Sequence, residues 1–160
     1  MGEDVRGPIG EADATMTDTK SGFSAAERAA MKQRADELRA EKGLKGGAKK
    51  EREYQACLEA IAALEGSDRQ IAERFHVIVA EEAPGLDPKT WYGFPSYARD
   101  GNVITFLQPA SKFGSRYATI GFNDGAFLDD GDMWATSFAV LEVTPDVEVR
   151  LRELVRRAAG

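Results

Sequence analysis

Tyr97-Ala98-Arg99-Asp100-Gly101-Asn102-Val103-Ile104-Thr105-Phe106-Leu107-Gln108 is the stretch that decides the fold. Two runs rich in β-branched and aromatic residues flank Asp100-Gly101, a dipeptide that accepts the two positive backbone angles of a type I′ turn. The segment therefore predicts a β-hairpin with strands over residues 97–99 and 103–108. The alternating pattern continues downstream, predicting a third strand over 116–122 and a fourth over 136–141. Thr144-Pro145-Asp146 then gives a helix start signal. The last helix has Val147, Leu151, Leu154, Val155 and Ala158 as its buried face, with Arg156 and Arg157 at the negative end of its dipole.

Upstream of Pro88 the period is helical. Ser24 and Glu27 have capping-box spacing, and residues 25–42 are mostly strong helix formers. The apolar stripe of this first helix is thin, consisting of Met31, Ala35 and Leu38. Gly43-Leu44-Lys45-Gly46-Gly47 reads as a flexible linker. A second helix over 50–64 carries a stronger face of Tyr54, Cys57, Leu58, Ile61 and Leu64. Ser67 with Gln70 suggests another capping box, opening a third helix with Ile71, Phe75, Ile78 and Val79 on one side and its end near Pro84. The expected fold is thus a two-layer α+β domain: helices first, an antiparallel meander of about four strands, and a C-terminal helix.

The 160 residues suit one compact domain of 48–160, preceded by a helical arm and linker over 21–47 and a disordered extension over 1–20. Met16 would serve equally well as a start, so residues before it carry no functional weight. A net charge of −6 argues against a phosphate-binding face, and hence against nucleic acid as a partner. The absence of a long apolar run argues against a membrane span or signal peptide, which leaves a cytoplasmic protein as the expectation.

The runs Trp91-Tyr92-Gly93-Phe94-Pro95-Ser96-Tyr97-Ala98, Arg116-Tyr117-Ala118-Thr119-Ile120-Gly121-Phe122 and Leu128-Asp129-Asp130-Gly131-Asp132-Met133-Trp134 resemble the YdhG-like family of small bacterial proteins. That family is grouped with the YjbR and CyaY-like folds. The run Gly22-Phe23-Ser24-Ala25-Ala26-Glu27-Arg28-Ala29-Ala30-Met31-Lys32 is similar to an arm of its actinobacterial branch. The resemblance runs from Asp18 to the C-terminus. It implies a frataxin-like iron-chaperone role, proposed for some relatives, but supplies no residue motif for it. Site residues must therefore come from side-chain chemistry.

Two candidate sites follow. Asp124, Asp129, Asp130 and Asp132 put four carboxylates and no base in residues 123–134, and Glu142 joins them if the next strand folds back. These are hard oxygen ligands suited to an exchangeable metal ion such as iron, although their spacing fits no EF-hand and a plain turn is the better explanation of clustered aspartates. Tyr92, Tyr97, Arg99, Lys112, Arg116 and Tyr117 form the second set, a concave sheet face for a small anionic or aromatic ligand. The competing assignment makes Trp91, Phe94, Ile104, Phe106, Ile120 and Phe122 a core, with the basic residues on a wet face. Cys57 reads as a small core hydrophobe and His76 as a surface or satisfied helix residue. No nucleophile and base pair, zinc set, phosphate loop or dinucleotide fingerprint is present, so an enzyme is the least supported class. Two functions remain open. One is an iron or small-ligand binding protein; the other is an interaction or oligomerisation module in which residues 24–42 dock onto a protein partner or a second copy.

Overall fold

The computed structural model describes residues 22–160, so the extension expected to be disordered lies outside it. Among the described residues three helices come first: α1 (Ala25–Glu41), α2 (Gly46–Ala62) and α3 (Gly66–Glu82). They are followed by β1 (Asp87–Trp91), β2 (Phe94–Arg99), β3 (Asn102–Gln108), a short 3-10 turn (Ser111–Phe113), β4 (Ala118–Phe122), β5 (Ser137–Val140) and a last helix, α4 (Pro145–Ala159). All strand pairings are antiparallel, in the order β1-β2-β3-β4-β5. The α+β class and the order of elements are as expected, but the described residues form five strands rather than four.

The additional strand, β1, is joined to β2 by a second two-residue turn. Tyr92 and Gly93 have φ of 54° and 83°, like Asp100 and Gly101 at 50° and 82°. Both turns are therefore of the primed kind that matches strand twist. A tyrosine in left-handed backbone is costly, and this one is held from outside. The Gly93 N–H donates to Glu37 of α1 at 2.7 Å, while the Gly93 carbonyl accepts from Lys112 Nζ at 2.8 Å. β2 also begins earlier than residue 97. Its Pro95 lacks an N–H, and pairing to β3 starts only at Ser96, so the proline costs no ladder bond there.

The pairing of β2 with β3 passes from Tyr97↔Thr105 to Ala98↔Val103, leaving Ile104 as an extra residue in a bulge. Asn123 closes that irregularity: its backbone N–H donates to the Ile104 carbonyl at 2.9 Å and its side-chain amide to the Val103 carbonyl at 3.2 Å. Below the sheet, Cys57, Ile61, Ile71, Phe75, Ile78, Val79, Leu151, Val155 and Ala158 pack with Tyr97, Ile104, Leu107, Ile120 and Phe122 in one core. The six residues expected as a single core are divided. Ile104, Ile120 and Phe122 join this core, whereas Trp91, Phe94 and Phe106 pack with Tyr92 and Phe113 in a separate aromatic cluster. The Phe106 ring lies where a Cβ on Gly121 would stand, so Gly121 admits it.

Helix signals were realised unevenly. Ser24 and Glu27 form the expected capping box, and Thr144 caps α4 by accepting from the Val147 N–H at 3.2 Å. Ser67 and Gln70 do not form one, because α3 already begins at Gly66. Asp68 in its first turn instead accepts from the N–H groups of Ala110 and Ser111 at 2.9 and 3.1 Å, tying the loop after β3 to α3. α2 starts at Gly46, inside the segment expected to be linker.

The two turn glycines separate backbone strain from contact. At Gly101 an added Cβ meets nothing within 4 Å, but at Gly93 it comes within 2.7 Å of Lys112 Nζ. Gly101→Ala should cost about 1 kcal/mol from the left-handed angle alone. Gly93→Ala should cost measurably more in urea unfolding because it also displaces the lysine; equal costs would show that the lysine contact carries no stability.

Candidate functional site

The acidic loop does not fold into a ligand cage. Ala126 and Leu128 are buried and anchor it, with the Phe127 N–H donating to the Ala158 carbonyl of α4 at 3.0 Å. Asp124, Asp129, Asp130 and Asp132 all lie exposed, as does Glu142 beyond β5. Among the described residues no group of three or more His, Cys, Asp or Glu side chains is placed to hold a metal ion. Nor do these aspartates accept from loop N–H groups, the arrangement expected of a structural turn. The apolar anchors shape the loop, and repulsion among like charges favours their pointing into water.

The six aromatic and basic residues also fail to converge. The small cleft of about 210 Å³ that Tyr97 lines, with Tyr54 and His76, contains none of the other five, and Tyr97 itself is 1% exposed and belongs to the core. Its register explains this: Tyr97 opposes Thr105, which opposes Phe122, and paired residues point to the same side of a sheet. Tyr92 and Lys112 are committed at the Gly93 turn. Arg99 donates to the Ala159 carbonyl and lies 5.3 Å from the Phe127 ring centre, so it fastens the C-terminus. Arg116 sits over the exposed Tyr117 ring at 5.6 Å. The two predicted sets meet only through Arg99 and Asp124, which share a cleft of about 630 Å³ with Arg34, Trp91 and Asp100.

Buried Tyr97 has a partner that the sequence did not reveal. Its hydroxyl and His76 Nδ1 are 2.9 Å apart, and the buried Cys57 belongs to the same core. Burial raises Tyr97 well above the usual phenol range, pushes the Cys57 thiol up to about 11, and lowers His76 below its ordinary value. All three shifts favour the neutral forms. A nucleophile would need the opposite at Cys57, so the His76 contact satisfies a buried hydroxyl rather than preparing a reaction.

A strongly acidic cleft lies elsewhere, between α1 and α2. Asp36, Glu37, Glu41, Glu53 and Glu59 line a cavity of about 470 Å³, with Arg52 and Thr90. Two of these acids share one lysine: Lys89, with a side chain only 4% exposed, sits 3.5 Å from Glu41 and 3.9 Å from Glu53. Burial raises Glu53, and Lys89 opposes that rise. The sequence signal for this cleft was available in Glu37 and Glu41, four apart on one helix, but the partner helix could not be aligned with them from spacing alone.

The docked side of α1 is unusual. Its half-buried residues are Ala26, Ala30, Arg34, Glu37 and Glu41, while Met31, Ala35 and Leu38, the stripe expected to pack, are exposed. Met31 is 38% and Leu38 53% accessible. Hydrogen bonding and charge at Gly93 and Lys89 orient the helix more strongly than its thin apolar stripe does. No helix among the described residues is long and apolar enough to cross a membrane. No family model, curated protein or solved structure matches the chain at a significant level.

The lowered His76 gives a pH signature. The unfolded chain takes up its proton first as pH falls below about 6.5, so this contribution is complete above that value and is lost as pH drops through the lower folded pKa. His76→Gln, which keeps a polar group for Tyr97 without titrating, should flatten the fall in unfolding free energy between pH 7 and 5.5. An unchanged slope would show that His76 does not titrate on unfolding.

Proposed function

We propose that this protein is a binding module whose α1 presents an apolar stripe to a protein partner. One observation carries this reading: α1 is fastened to the body by polar groups, and its Met31, Ala35 and Leu38 point outward. Their spacing of i, i+4 and i+7 is what a hydrophobic groove on another protein reads from an amphipathic helix. Phe23, just before the helix, is also exposed. Met31→Glu with Leu38→Glu should change unfolding free energy by less than about 1 kcal/mol, because both side chains are exposed. A photo-crosslinker at position 35 should give a discrete adduct in the cell of origin that this double variant loses. A crosslink pattern no different from an unstructured control would end the proposal.

The acidic α1–α2 cleft favours a second reading, and the frataxin-like resemblance points the same way. A divalent cation such as ferrous iron would be held there loosely, largely in its own hydration shell, because no three carboxylates are placed to ligate one ion. Anaerobic calorimetric titration with ferrous iron should give heat that Asp36→Asn with Glu59→Gln removes. Loss with Asp129→Ala and Asp130→Ala instead would return the site to the loop, and no heat in the wild-type protein would exclude cation binding.

A further inference from the structure

We propose that β5 is a pairing edge for a second copy of this chain, forming a two-fold dimer with a continuous ten-stranded sheet. The two edges of the sheet are protected unequally. β1 carries Pro88 and Lys89, and α2 lies against it. β5 and its flanks, Thr136-Ser137-Phe138-Ala139-Val140-Leu141, contain no charge and no proline. These are the devices that normally blunt an open edge, and β5 has neither.

The register specifies how a second copy would fit. The Phe122 N–H donates to the Thr136 carbonyl, and Phe138 and Val140 oppose Ile120 and Ala118. Antiparallel ladders alternate, so Thr136, Phe138 and Val140 turn their polar backbone toward β4, while Ser137, Ala139 and Leu141 turn theirs outward. Among the described residues none of these three makes a backbone bond outside the sheet. A two-fold axis at Ala139 pairs Ala139 with its symmetry mate and Ser137 with Leu141 of the other copy. Every outward group of the three residues then has a partner.

The same axis sets Phe138 of one copy opposite Val140 of the other, on the helix side of the sheet. That side carries an apolar groove of about 410 Å³ between β5 and α4, lined by Phe138, Val140, Val147, Leu151 and Leu154. Leu141, 63% exposed, stands at its mouth. A short strand pair alone falls below the roughly 1,000 Å² a specific interface needs, and joining two such grooves adds the missing apolar area. Glu142 and Arg150 also line the groove, and neither has an ion-pair partner among the described residues. Their opposite charges suit an isologous contact, in which each is offered twice. That self-complementarity is why the occupant is a second copy rather than an unrelated peptide.

Sedimentation of the full chain over a concentration series tests this independently of the α1 proposal. A dimer is expected. Ala139→Pro should make it monomeric, since it removes an outward N–H that no bond within the chain uses. Arg150→Glu should raise the dissociation constant roughly tenfold, and adding Glu142→Arg should restore it. If Ala139→Pro does not fold, the charge reversal and its rescue decide. A monomer at all concentrations, a dimer indifferent to both changes, or a dimer lost only with Met31→Glu and Leu38→Glu would overturn the proposal.

Discussion

The backbone of Gly93 holds this molecule together at a strained turn. Its N–H is taken by Glu37 of α1 and its carbonyl by Lys112 of the loop after β3. That loop is fixed in turn by Asp68 of α3 through Ala110 and Ser111. Burial works against the charge of Asp68, but the bonds from Ser111 and Ala110 outweigh it and leave the carboxyl below its ordinary range. A continuous polar chain therefore runs from the first helix through a strained turn to the third. It positions elements that the hydrophobic core does not reach.

Charge has a similar fastening role on the opposite side. Arg152 contacts Glu81, Glu82 and Glu148, Arg156 contacts Glu82 and Glu153, and Arg74 reaches Glu148, so α3 and α4 are laced by a network rather than by isolated pairs. The arginine hydrogen bonds hold Glu82 and Glu148 below the usual carboxylate range. Exposed pairs of this kind contribute little singly, and the apolar face of Leu151, Val155 and Ala158 supplies most of the attachment.

Much of the fold was legible because its signals are local. The Asp100-Gly101 turn, the Ser24 and Thr144 caps and the apolar faces of α3 and α4 each depend on residues near in sequence. β1 was missed because its turn places a tyrosine where asparagine or aspartate would signal one, and because β2 is buried nearly throughout and shows no alternation. The side of α1 that docks was misjudged for a different reason: its partners, Gly93 and Lys89, lie some fifty residues away. The candidate sites were the least legible part. Residue types identified donors and acceptors, but a bulge at Ile104 and the pairing register decide which of them share a surface.

Lys89 illustrates how such a structure constrains change. One nearly buried ammonium is shared by Glu41 of α1 and Glu53 of α2. Replacing the lysine alone strands Glu41 and leaves Glu53 with only Lys49, 3.8 Å away, whereas replacing one acid leaves the other still paired. The order of tolerated substitutions is therefore directional: the glutamates can be neutralised one at a time, and the lysine only after them. In sequences that share this arrangement, an uncharged residue at position 89 should be found with both acids already gone, so that three positions on separate elements drift as one character.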